Sequence, residues 1–240
     1  MIKAVIVDFD DTLCMTEQAC FDLENEILRR MGRSPMSREI HKTTWGQPLF
    51  ETIKVRSPGV DAEEFRRLTD IVQAEWVQEE KIDVVDNLRL ATLDALAEAG
   101  KKLYVLTSRT HQELRHLLAP DHGLASRITA FYYRDIMEFH KPDPRAFDLL
   151  LKDHAFERAE CAYVGDSPND AIAAKQAGMH FIGSVESGVR TEADFEGLLT
   201  DVFITHFTDL PAAVAQLDQR FGLLRPVAQA AKTRLNNANG

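Results

Sequence analysis

The first apolar run, Ile2 with Ala4 to Val7, is continuous and rich in β-branched residues, as a strand buried on both faces should be. It runs into three carboxylates within four residues, Asp8, Asp10 and Asp11. The pattern then turns helical. Leu23, Ile27, Leu28 and Met31 share a helical spacing that stops at Gly32. A shorter element starts at Ser37 and breaks at Trp45-Gly46-Gln47-Pro48, and another carries Phe50 and Ile53 up to Ser57-Pro58-Gly59. Asp61 and Glu64 open a further helix with Phe65, Leu68, Val72 and Trp76 on one face. The stretch from about Thr16 to Lys81 is therefore expected to be an all-helical insert of about four helices over the carboxyl end of the first strand.

From Asp86 onward, helix and strand alternate. A helix from Leu88 to Ala99 stops at Gly100, and Leu103 to Leu106 reads as a buried strand. Thr110 and Glu113 form a capping box, Ile128 to Tyr132 a third strand, and Asp143-Pro144 a helix start. Ala162 to Gly165 is a fourth strand, and Ser167-Pro168 opens a helix that ends at Gly178. Phe181-Ile182 and Val202 to Ile204 read as short strands on either side of the acidic segment Glu192 to Leu199. A last helix near Leu210 to Leu217 precedes a tail expected to fray at Asn236 to Gly240. This alternation implies an α/β fold with a doubly wound, mostly parallel sheet. The division expected is a core of residues 1–15 and 82–220, a helical cap of 16–81 and a tail of 221–240.

Composition changes this picture little. At 240 residues, 45% hydrophobic and 28% charged, the chain has the length and balance of one large globular α/β domain or of a core domain carrying a smaller insert. A net charge of −10 argues against nucleic-acid binding. Cys14, Cys20 and Cys161 are scattered and odd in number, which favours a reducing compartment over a disulfide framework. The first apolar run is too short for the core of a signal peptide, and no run is long enough to cross a membrane. A cytoplasmic enzyme, monomeric or homodimeric, is the expectation.

In a doubly wound sheet, ligands bind beyond the carboxyl ends of the strands. The first strand is followed by Asp8, Asp10 and Thr12, the second by Thr107, Ser108 and Arg109, the third by a loop with Lys141, and the fourth by Asp166, Ser167 and Asp170. Each has a plain alternative. Asp11 suits a turn that caps the next segment, Thr107 a strand end, Lys141 a solvated loop before Pro142, and Asp170 a helix cap paired with Ser167. Carboxylates crowded at a strand end nevertheless resist ionising together unless a cation or a reaction uses them.

Asp8-Phe9-Asp10-Asp11-Thr12-Leu13, Thr107-Ser108, Lys141-Pro142-Asp143-Pro144 and Gly165-Asp166-Ser167-Pro168-Asn169-Asp170 resemble the four motifs of the haloacid dehalogenase-like hydrolase superfamily. The insert after the first motif resembles the cap of its phosphoglycolate phosphatase and β-phosphoglucomutase branch. The resemblance spans roughly residues 1–220. It implies Asp8 as the nucleophile that forms an aspartyl-phosphate and Asp10 as general acid, then base. It also implies Mg²⁺ held by Asp8, the Asp10 carbonyl and Asp166, with Asp170 behind. Lys141, Thr107 and Ser108 would bind the phosphoryl group, and Lys141 would keep Asp8 ionised. Thr12 would orient the loop around Asp10. A small phosphorylated metabolite is the implied substrate, and a phosphomutase is the alternative. Asp10 argues against a 2-haloacid dehalogenase. The sequence departs from this branch at Asp11, where glycine is usual, at Met15 where aspartate is common, and at Ser108, where asparagine is usual. Glu17, His41, Lys42, Trp45, Gln47 and Lys54 are the cap candidates for facing substrate, with packing a competing use for Trp45, and with either a second anionic group or plain solvated surface for Lys42 and Lys54.

Overall fold

A computed structural model describes residues 1–220; the tail, with its expected frayed end, lies outside the described residues. Six strands form one sheet: β1 (Ala4–Val7), β2 (Lys102–Leu106), β3 (Ala130–Tyr132), β4 (Cys161–Gly165), β5 (His180–Ser184) and β6 (Val202–Ile204). Their order is β3-β2-β1-β4-β5-β6, and every pairing is parallel. Consecutive connections run outward from β1 on one side and from β4 on the other. The switch point therefore falls between β1 and β4, where a crevice opens at the carboxyl ends.

Alternation along β1 explains both faces of the sheet. Val5 and Val7 join Leu103, Val105 and Val164 in one apolar layer, while Ala4 and Ile6 join Tyr104, Leu106 and Tyr163 in the other. Between β1 and β2 come α1 (Glu17–Arg30), α2 (Arg38–Thr44), α3 (Leu49–Arg56), α4 (Ala62–Gln78) and α5 (Asn87–Glu98). Then follow α6 (His111–Leu114), α7 (Asp148–His154), α8 (Pro168–Gln176) and α9, over residues 210–220. Leu93 and Leu96 of α5, Leu114 of α6 and Leu210 to Leu217 of α9 cover the first face; Leu150 of α7 and Ala171 to Ala174 of α8 cover the second.

The first four helices have an apolar cluster of their own, built on Leu23, Ile27, Leu28, Ile53, Phe65, Leu68 and Val72. These are the positions that the helical spacing picks out. Some elements are shorter than expected. The strand expected from Ile128 is paired only over Ala130–Tyr132, because Ile128 packs into the core and Thr129 N–H closes the approach on Leu103 O at 2.8 Å. The Thr110–Glu113 capping box is present, yet its helix makes one turn before a chain of turns carries Leu117 and Leu124 into the core. Asp143-Pro144 opens a 3₁₀ segment, Pro144–Phe147, before α7 begins.

Candidate active site

β1 and β4 bring Asp8 and Asp166 to the switch point, and α8 places Asp170 beneath them. Gly165 makes that approach feasible, since a Cβ there would lie 2.6 Å from Asp170 Cγ. Asp8, Asp166 and Asp170 each offer a carboxylate oxygen within 4.8 Å of the others, and all three are buried. Lys141, from the loop after β3, reaches the cluster with Nζ 2.9 Å from Asp8 Oδ1, 2.7 Å from Asp170 Oδ1 and 2.9 Å from the Tyr163 hydroxyl. Asp170 is otherwise satisfied. Its Oδ1 accepts the Tyr163 hydroxyl at 3.1 Å, and its Oδ2 accepts Ser167 N–H at 3.0 Å and Oγ–H at 2.6 Å. The helix-capping use expected for Asp170 and its place at the carboxylate cluster thus coexist.

Lys141 acts on Asp8 in the expected direction, favouring the carboxylate, but burial outweighs it. Burial pushes the Asp8 carboxyl up to about 7; Lys141 pulls against this, and Asp170 and Asp10 add to it. Burial likewise pushes Asp166 well up, reinforced by Asp170 and Asp8. One ammonium is shared between Asp8 and Asp170, so its pull does not offset the burial. Asp166 accepts no hydrogen bond from the described residues, so its oxygens are uncommitted. An uncompensated pair of hard oxygen donors beside a third suits a small divalent cation such as Mg²⁺. The residues present fit that ion.

Asp10 is held apart from this cluster. Arg109 Nε lies 3.1 and 3.0 Å from its two oxygens and Nη2 lies 2.6 Å from Oδ1, which also accepts the Thr16 hydroxyl at 2.7 Å. Arg109 Nη1 reaches Asp83 Oδ2 at 2.8 Å, and the guanidinium stacks over Phe9 at 4.7 Å. Arg109 is 7% exposed and Asp83 5%. Sequence order sets Arg109 just after β2 but gives it no role. A buried arginine needs paired carboxylates, and residue order does not say which ones.

Asp11 fulfils its plain alternative and does more. At φ 52° it occupies the left-handed region where glycine would be relaxed. Its Oδ1 accepts the N–H groups of Thr16 at 2.9 Å and Glu17 at 3.1 Å, capping the entry to α1. Its Oδ2 accepts the indole N–H of Trp45 at 2.6 Å. Burial pushes the Asp11 carboxyl up to about 6 against the pull of these donors. Trp45 therefore ties the link between α2 and α3 to the loop after β1, while its ring lies 5.2 Å from that of His41. Trp45→Phe should leave Asp11 Oδ2 without this donor and cost ~1–3 kcal/mol, read as a lower urea midpoint at unchanged slope.

A cavity joins the strand ends to the helices above. Its wall includes Asp8, Asp10, Ser108, Arg109, Lys141 and Asp166 from below. From above come Cys20, Leu23 and Glu24 of α1, Arg56 of α3, and Thr69 and Gln73 of α4. Ser108 is on this wall; Thr107 is not, being fully buried with its Oγ1 accepting Arg109 N–H at 3.2 Å. Thr12 is also fully buried, its hydroxyl without a partner among the described residues. Of the six cap candidates for facing substrate, Trp45 and Gln47 line the cavity. Lys42 and Lys54 are exposed and lie outside its wall, which selects the solvated-surface reading for them over the substrate-facing one. Glu17 and His41 are turned into the helical cluster instead. His41 Nδ1 lies 2.8 Å from Glu17 Oε1, Arg38 also pairs with Glu17, and Glu24 pairs with Arg56 at 2.6 Å. These charged groups pair with one another inside the helical cluster, which satisfies them away from water.

The family model described as haloacid dehalogenase-like hydrolase matches residues 5–184. The phosphoglycolate phosphatase of Photobacterium profundum is 27% identical over 194 residues, covering 76% of this chain and 82% of that protein. The pyrophosphatase PpaX of Bacillus velezensis is 26% identical over 184 residues, covering 76% and 82%. Among solved structures, CbbY from Rhodobacter sphaeroides in complex with xylulose-(1,5)bisphosphate superposes with a TM-score of 0.73 at 22% identity, covering 88% of this chain and 96% of that one. That superposition supports the fold.

Proposed function

This chain belongs to the haloacid dehalogenase-like hydrolase family and is an enzyme of its phosphatase kind, and we propose that it hydrolyses a small phosphorylated metabolite with Mg²⁺ through an aspartyl-phosphate on Asp8. The observation that carries this reading is the buried Asp8–Asp166–Asp170 cluster with Lys141 between two of its members. The division into a core of residues 1–15 and 82–220 and a cap of 16–81 belongs to the same reading, supported by the separate apolar cluster of the four helices.

In this mechanism a carboxylate oxygen of Asp8 attacks phosphorus and the bond to the leaving oxygen breaks, which divides a very slow hydrolysis into two easier displacements. Asp10 protonates the leaving oxygen and then takes a proton from the water that attacks the aspartyl-phosphate. Lys141 and nearby N–H groups hold the equatorial oxygens as charge spreads over them. Asp8, Asp166 and the Asp10 carbonyl would hold Mg²⁺, with Asp170 positioning from behind; when bound, the ion neutralises charge on the transferring group. Cap residues exclude water from the cavity during the first transfer.

Purified protein is expected to release phosphate from p-nitrophenyl phosphate with Mg²⁺ and to lose that activity in EDTA, with recovery on adding Mg²⁺ back. Equal turnover in EDTA would sink the metal requirement. Conversion of β-glucose 1-phosphate to glucose 6-phosphate without net phosphate release would place the chain with the mutases instead.

A further inference from the structure

We propose that Arg190 receives a second anionic group of the substrate, a carboxylate or a further phosphate, and so sets specificity from the core side of the cavity. This rests on the phosphatase reading above. Among the described residues, four cationic side chains line the cavity: Arg56, Arg109, Lys141 and Arg190. Three are committed. Arg56 places Nη1 2.6 and 2.8 Å from the Glu24 oxygens and donates Nε–H to Thr44 Oγ1 at 2.9 Å. Arg109 is divided between Asp10 and Asp83, and Lys141 between Asp8 and Asp170.

Arg190 pairs with no carboxylate among the described residues, and its Nε is buried without a hydrogen-bond partner. The acid it influences, Asp194, is exposed and is held low chiefly by the Thr191 N–H at 2.7 Å and hydroxyl at 3.0 Å. Arg190 follows β5, whose Gly183 pairs with Gly165 just before Asp166. Its loop is anchored rather than free. Glu186 accepts from Arg89 Nη2 at 2.7 Å and from Phe207 N–H at 2.7 Å.

Among the described residues, the cavity wall also carries five acids: Asp8, Asp10, Glu24, Glu113 and Asp166. A substrate with negative charge beyond the transferring phosphoryl group would be repelled there unless it met an uncommitted cation. Lys42 and Lys54, the cap lysines that are candidates for that part, lie outside the wall. Arg190 remains. Its planar fork matches a carboxylate or a phosphate with two parallel hydrogen bonds.

The test compares wild type with Arg190→Gln and Arg190→Lys on matched pairs, with Mg²⁺ present. One pair is 2-phosphoglycolate and 2-hydroxyethyl phosphate; the other is fructose 1,6-bisphosphate and fructose 1-phosphate. For the charged member of the responding pair, Arg190→Gln should lower kcat/KM ~10–100-fold more than for its uncharged counterpart, mainly through KM. Arg190→Lys should recover part of this. A response confined to the first pair identifies a carboxylate, and one confined to the second identifies a phosphate. Calorimetric binding of the same pairs in an Asp8→Asn background gives the comparison without turnover, so a protein that fails to hydrolyse them still answers the question. Equal losses on every substrate would overturn the proposal, because Arg190 would then grip the transferring group. No loss on any would overturn it as well.

Discussion

Asp8→Asn is expected to lower phosphate release by about 10⁴-fold or more, because the amide cannot form the aspartyl-phosphate through which hydrolysis is divided. The same substitution should stabilise the metal-free protein above neutral pH. Burial raises the folded-state pKa of Asp8 from 3.8 to about 7, so the folded chain binds a proton there more tightly than the unfolded chain does. The stabilising contribution is complete below the unfolded value and is lost as pH rises through 7. At pH 8 in EDTA, wild type therefore carries the cost of a buried carboxylate, roughly 1.4 kcal/mol for every tenfold by which folding tightens proton binding. Asparagine keeps the shape and can still accept from Lys141, but it carries no charge. Urea unfolding should show the variant ahead by about 2–4 kcal/mol at pH 8 in EDTA, with the gap closing near pH 4. Wild-type turnover by Asp8→Asn would falsify the nucleophile assignment.

That prediction concerns a residue the sequence marks plainly. The place of Asp8 and Asp166 at the ends of β1 and β4 is legible from the buried runs before them, whose alternation with helices puts the strand ends on one edge. Lys141 and Asp170, by contrast, stand out in the sequence through the resemblance of their motifs. The six-stranded parallel sheet and the four helices between Leu13 and Asp83 follow from the same periodicities. The polar interior is not legible. Glu17, Glu24, His41 and Arg56 carry no mark distinguishing a buried charge network from a wet helix face, since either has the same spacing. Asp11 reads as a turn residue and is one, yet its bond to Trp45 joins positions 34 residues apart that no local pattern relates. Lys42 and Lys54 are open in the sequence for the same reason: a cation near a suspected site reads equally as a ligand or as solvated surface until the helix rotation is known, and theirs turns them to solvent.

Arg109 is the largest of these omissions, and its removal should have two separable effects. The segment leading into the four helices carries Thr16, whose hydroxyl bonds Asp10; the segment leading out carries Asp83, which Arg109 holds together with Asp10. Both segments flanking the four helices therefore meet at one guanidinium and one carboxylate, and the placement of Asp10 depends on where those helices sit. In Arg109→Met, Asp10 retains only the Thr16 hydroxyl from this set, while Asp83 keeps His116 Nε2 at 3.0 Å. The folded protein then holds a buried carboxylate that has lost its main partner, at a cost of ~3–5 kcal/mol. Burial raises the Asp83 carboxyl, but Arg109 and His116 together bring it below its usual value. That contribution is present above the unfolded pKa and is lost as pH falls through the lowered folded one. Adding Asp83→Asn removes the stranded charge, so the double variant should regain most of the stability. It should not regain turnover, because Asp10 remains unheld; kcat should stay down about 10²-fold with KM little changed, as expected when an acid–base group is misplaced and binding is not. If the double variant recovers kcat along with its unfolding midpoint, Arg109 serves folding alone and the coupling of Asp10 to the four helices fails.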